Sequence, residues 1–69
     1  MNKDQMIGKW HELKGSAREQ WGKLTDDDIA EVDGSREKLS GKIQNAYGVA
    51  REKAEEQIDE WEKNSRRAA

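Results

Sequence analysis

The sequence predicts an all-α fold: a small four-helix domain built as two packed helical hairpins. Three observations predict it. Apolar residues recur at spacings of three and four, and no stretch alternates with the period of two that a half-buried strand requires. The chain has no Pro and is rich in Lys, Glu, Arg and Gln, all good helix formers. Its second half repeats the first at an offset of 26 residues. The whole chain, 1–69, is expected to form one small domain, because 69 residues supply one core and no more.

The first helix is expected over about residues 4–21. Met6, Trp10, Leu13, Ala17, Trp21 and Leu24 step by 4, 3, 4, 4 and 3, which keeps them on one helical face. A second, short helix is expected over 26–33. Thr25 can cap it, with Asp28 three residues on in the position of a capping box, and Asp26, Asp27 and Asp28 complement the positive end of the helix dipole. Ile29 and Val32 face inward, and Gly34 follows the helix as the residue past its cap. Ser35 can cap a third helix over 36–47.

A second apolar stripe runs Leu39, Ile43, Ala46, Tyr47, Ala50, Ala54, Ile58, Trp61. It passes Gly48 without losing phase, so one long helix from 36 to 63 is an alternative. The repeat favours a break there and a fourth helix over 49–63, followed by a disordered tail, 64–69.

The repeat aligns Gly8 with Gly34, Leu13 with Leu39, Gly15 with Gly41, and Trp21-Gly22 with Tyr47-Gly48. Charge repeats as well: residues 9–23 carry +2 and 25–33 carry −5, then 35–47 carry +2 and 48–62 carry −4. Each hairpin therefore reads as a basic helix followed by an acidic one. Gly8, Gly15 and Gly22 project opposite the first apolar stripe, as Gly41 and Gly48 do opposite the second. They are either weakly constrained surface positions or a second face on which a bare backbone lets another helix or a partner come close.

Composition excludes several functions. Charged residues make up 41% of the chain, yet 13 Lys and Arg nearly balance 15 Asp and Glu, leaving −2. With no Cys there is no disulfide, no thiol nucleophile and no thiolate metal site. No apolar run exceeds two residues, so no segment reads as membrane-spanning, and residues 1–5 lack the apolar stretch of a signal peptide. The expected location is the cytoplasm, as a monomer.

His11 is the lone histidine and has no partner for metal ligation or general-base work; it reads as a solvated helix residue. Asp26, Asp27 and Asp28 lack the alternating ligands of a calcium loop. Glu52, Glu55, Glu56, Asp59, Glu60 and Glu62 read as a solvated face, with Asp59–Lys63 and Glu62–Arg66 placed to pair at i,i+4. Lys9, Lys14, Arg18 and Lys23 form only a weak basic strip, and a pI near 5.4 argues against nucleic-acid binding. Trp10, Trp21, Tyr47 and Trp61 lie on the apolar stripes and are expected in the core, with exposed interaction anchors as the alternative.

One family resemblance rests on particular residues. Trp10-(x)3-Lys14-Gly15-(x)2-Arg18-Glu19-(x)2-Gly22-Lys23-Leu24-Thr25-Asp26-Asp27-Asp28 resembles the signature of the CsbD-like family of small bacterial stress proteins. Gly34-(x)6-Gly41-Lys42-Ile43-Gln44-(x)2-Tyr47-Gly48 resembles its continuation. Arg18 departs from the pattern, standing where Lys is expected before Glu19, with the charge kept. The resemblance implies a small, abundant cytoplasmic protein of the general stress response, folded as two hairpins, and it brings no catalytic residue, cofactor or ligand site.

The resulting expectation is a non-enzymatic stress-response protein, without cofactor or metal, that binds or protects an unidentified macromolecule. Its basic first and third helices are the expected contact surface. The alternatives are a loosely folded, glycine-rich hydrophilic protectant and a weak nucleic-acid-binding helical module.

Overall fold

In the computed structural model, which describes the backbone of residues 7–68 and the side chains of residues 10–64, the chain forms four helices. They are α1 (Ile7–Gln20), α2 (Asp26–Val32), α3 (Arg36–Tyr47) and α4 (Arg51–Ala68). No strand occurs among the described residues. The expected start of α1 at residue 4, and the place of Met6 on its stripe, lie outside the described residues.

Local chemistry sets the boundaries. After α1 the Trp21 amide still donates to the Ala17 carbonyl at 2.9 Å, and the Leu24 amide turns back to Trp21 O at 3.0 Å. That turn buries Leu24 and delivers Thr25 to the start of α2. The capping box forms there. The Asp28 amide donates to Thr25 Oγ1 at 3.1 Å, and the Thr25 amide donates to Asp28 Oδ2 at 3.0 Å. The bond from the Thr25 backbone, helped by Lys42, holds the Asp28 carboxyl below its ordinary value of 3.8.

A carboxyl depressed in the fold stabilises the chain above its unfolded pKa, and that contribution disappears as pH falls through the folded value. Asp28→Asn is therefore expected to be less stable than the parent chain at pH 7, with the two melting curves converging as pH falls below the ordinary carboxyl value of 3.8. Parallel pH profiles for the two proteins would show that Asp28 has no such role.

At the far end of α2, Gly34 takes φ +81°, as a residue past the cap should. The sequence gives no warning that Asp33 before it is also left-handed, at φ 45°, ψ 44°. Asp is among the few non-glycine residues that tolerate this region. The pair reverses the chain within three residues, and Ser35 Oγ then caps α3 by accepting from the Lys38 amide at 3.2 Å.

Gly48 settles the choice between one long helix and two. It is left-handed, at φ 65°, ψ 34°, and its amide donates to Gln44 O at 2.9 Å, closing α3. The fourth helix begins at Arg51, two residues later than expected, and runs to Ala68, beyond the expected end at 63. The late start moves one residue of the predicted stripe. Ala50 supplies the first carbonyl of α4, accepting from the Ala54 amide at 3.0 Å, but its own side chain is exposed. The left-handed step at Gly48 resets the phase that a continuous helix would have kept.

The helices close a ring: α1 packs on α2, α2 on α3, α3 on α4, and α4 back on α1. Their inward residues meet in one core, with Trp21, Leu24, Leu39, Ile43, Ile58 and Val32 its largest fully enclosed side chains. Leu13, Ala46, Tyr47 and Val49 pack around its edge, half-buried.

Candidate interaction surface

Three side-chain junctions tie the ring together, and each shows how the surface above it is built. At the α1–α4 junction two indoles meet edge to face, Trp21 and Trp61, with centroids 5.2 Å apart and planes at 67°. Each buried N–H finds an acceptor: Trp21 Nε1 donates to Gln57 Oε1 at 3.0 Å and Trp61 Nε1 donates to Ser16 Oγ at 2.9 Å. Trp10, Trp21 and Trp61 are all buried. Tyr47 sits at the edge, half-buried, where its hydroxyl accepts from the Lys23 amide at 3.1 Å and its ring lies 5.2 Å from the Lys23 ammonium.

At the α2–α3 junction the Lys42 ammonium bonds Glu31 and lies 3.3 Å from Asp28. The bond to Glu31, reinforced by Asp28, raises the Lys42 pKa above its ordinary value. At the α3–α4 junction the Arg36 guanidinium bonds Asp59 and Glu62 and donates to the Glu55 carbonyl at 3.4 Å. Partial burial alone would lower the Arg36 pKa; the two carboxylates outweigh it and raise it. These partners correct the sequence reading. Asp59 turns to Arg36 across the hairpin rather than to Lys63 along α4, and Glu62 also bonds Arg36, because one guanidinium fork can hold two carboxylates in fixed geometry. Arg66 lies outside the described side chains.

Between the helices of each hairpin lies a groove, and the two grooves are lined by equivalent positions of the repeat. On α1 the lining is Trp10, His11, Lys14, Gly15 and Arg18. Twenty-six residues on, α3 lines its groove with Arg36, Glu37, Ser40, Gly41 and Gln44. The two grooves differ in what fills them. The α3–α4 groove, about 340 Å³, has Arg36 in its wall, held by Asp59 and Glu62 of α4, and the Arg51–Glu55 ion pair in its lining. The α1–α2 groove is about 680 Å³, with Ile29 and Ala30 on its α2 side. There the residue equivalent to Arg36 is Trp10, which is buried in the core.

The α1 wall of the larger groove is basic. His11 and Lys14 are exposed and make no hydrogen bond or ion pair among the described residues. Arg18 pairs with Asp26, leaving its buried Nε–H without an acceptor. Gly15 forms part of the lining, and nothing lies within 4 Å of the position its Cβ would take; the same holds for Gly22 and Gly41. Among the described residues no neighbouring helix uses these bare positions. Glu19 and Gly22 are exposed, while Leu24, Thr25 and Asp28 belong to the core and the α2 cap. Among the described residues no group of His, Asp or Glu converges as a metal site would, and no helix is long and apolar enough to cross a membrane.

Comparison with known proteins places this geometry. The profile of the CsbD-like family matches residues 4–56, which span both halves of the repeat up to the first turns of α4. The chain belongs to the CsbD-like family. It is 52% identical over 63 residues to the UPF0337 protein YjbJ of Escherichia coli O6:H1, covering 91% of each chain. It is 53% identical over 62 residues to a UPF0337 protein of Pectobacterium atrosepticum, covering 90% of each. A UPF0337 protein of Protochlamydia amoebophila is 46% identical over 66 residues, 96% of this chain and 100% of its own length. The family is one of general stress-response proteins.

Proposed function

We propose that this CsbD-like chain acts without catalysis, as a cytoplasmic monomer that binds and protects other macromolecules through the basic wall of α1. The observation that carries the reading is the inequality of two equivalent grooves. The one between α3 and α4 is lined by Arg36, which carboxylates of α4 hold, and by the Arg51–Glu55 ion pair, while the one between α1 and α2 keeps Lys14 and His11 uncommitted beside Gly15. An unpaired Lys14 beside the apolar Trp10, Ile29 and Ala30 suits a partly apolar polypeptide surface that carries an acidic side chain. A polyanion such as nucleic acid suits the groove less, because it needs several free cations, and here Arg18 is already paired with Asp26 while Asp33 also lines the groove.

A folded actor fits better than a loose protectant. The Cα radius of gyration is 10.9 Å, against roughly 11 Å for a folded chain of this length and about 25 Å for an unfolded one. A solitary exposed His11 supports a role without catalysis, since general-base work needs a positioned partner.

The test is to heat a labile dehydrogenase with an equimolar amount of the chain and measure recovered activity. Recovery above that given by an equal mass of serum albumin is expected. Lys14→Glu should return recovery to the albumin level with its own melting curve unchanged. Parent-chain recovery no better than albumin ends the reading, and full recovery with Lys14→Glu removes the α1 wall from it.

A further inference from the structure

We propose that α1 is a cover that opens as a unit, by local unfolding, while α2, α3 and α4 stay packed together. The proposal rests on how unevenly the four helices are fastened. The α3–α4 junction is held by Arg36 on two carboxylates and a backbone carbonyl. The α2–α3 junction is held by Lys42 on Glu31 and Asp28. Both α2 and α3 start from a side-chain cap and end on a left-handed residue.

The fastening of α1 is of another kind. Its one ion pair among the described side chains, Arg18–Asp26, is solvent-facing, with the Asp26 side chain 92% exposed. Its described bonds to α4 are two neutral indole contacts, Trp61 to Ser16 and Trp21 to Gln57. In its middle sits Gly15, which carries the full helix penalty of glycine, with open space where a side chain would go and no positive φ to require it. Burial of Trp10, Ala17 and Trp21 keeps the closed form dominant, so the open form is a minor state of the kind that native proteins visit in cooperative pieces. When α1 lifts, the edge of Trp61 that rests on Trp21 is uncovered, and with it the nearby α4 surface around Gln57.

The repeat supplies a matched pair of probes. Gly15 in α1 and Gly41 in α3 are 26 residues apart, both helical, both open beyond Cβ, so alanine fits each and removes the same penalty. Native-state hydrogen exchange of the parent chain, Gly15→Ala and Gly41→Ala then separates a cover from a single cooperative unit.

If α1 opens alone, Gly41→Ala stabilises the remainder that survives the opening. It should slow exchange of the α3 and α4 amides about fivefold and leave the α1 amides unchanged. Gly15→Ala stabilises the closed form against both the open and the unfolded states, so it should slow α1, α3 and α4 amides alike, again about fivefold. If Gly41→Ala slows the α1 amides by the same factor as those of α3 and α4, the four helices unfold together and the proposal is overturned. The inference goes beyond the macromolecule-binding reading and does not depend on it. Exchange rates report the opening, and enzyme recovery reports the protection, so either can fail without the other.

Discussion

Trp21→Ala is expected to destabilise the chain by roughly 3–5 kcal/mol, the usual cost of deleting a buried aromatic. Trp21 is 2% exposed, and its indole both packs edge-on against Trp61 and donates to Gln57. At the usual stability per residue, a 69-residue chain has only about 3–10 kcal/mol to lose. The substitution should therefore leave α1 largely unpacked, so that the thermal transition seen by far-ultraviolet circular dichroism loses the amplitude of α1 and moves to lower temperature. Trp21→Phe separates two contributions. It keeps most of the ring area but leaves Gln57 without its donor, so a smaller loss of about 1–3 kcal/mol is expected. Both variants should also lose the signal of the coupled Trp21–Trp61 pair. A Trp21→Ala protein that melts like the parent would place Trp21 outside the core and undo the α1–α4 junction described above.

Such effects were legible in the sequence only where a local rule governs them. The stripe through Trp10, Ala17 and Trp21 marks the inward face of α1 because helical period is a property of neighbouring residues. Thr25 with Asp28 announces a cap for the same reason, whereas the stop at Gly48 is favoured by the 26-residue repeat, against a stripe that runs through it in phase. What escaped was set by partners distant along the chain. Asp59 lies four residues from Lys63 in sequence, yet it bonds Arg36, 23 residues away. Ser16, a plain surface residue by its pattern, accepts the Trp61 indole N–H from 45 residues away. Ala50 belongs to the stripe by spacing and leaves it in space, because a left-handed glycine two residues earlier turns the next helix. The inequality of the two grooves was hidden for a related reason. The repeat makes Trp10 and Arg36 equivalent positions; the stripe places Trp10 in the core, but only the three-dimensional packing shows Arg36 in a groove wall, held by two carboxylates of α4.

That position carries the second large effect. Arg36→Ala should cost about 2 kcal/mol, between the near-zero value of an exposed ion pair and the 3–5 kcal/mol of breaking a buried one. The intermediate figure follows from its partners. The Arg36 side chain is 15% exposed and Glu62 18%, so removing the guanidinium strands a largely covered carboxylate, whereas Asp59 at 60% rehydrates freely. Two further substitutions divide the cost. Arg36→Met keeps the aliphatic stem and should recover the part due to packing. Arg36→Lys keeps the charge but not the fork, and one ammonium cannot reach Asp59, Glu62 and the Glu55 carbonyl together, so it should recover less than half of the loss. A double-mutant cycle with Glu62→Gln, read by urea unfolding, should give a coupling of about 1 kcal/mol that shrinks in 1 M salt. Equal stability of Arg36→Lys and the parent chain would mean that charge alone, and not the shared fork, joins α3 to α4. The α3–α4 junction would then be no firmer than the exposed Arg18–Asp26 pair that joins α1 to α2.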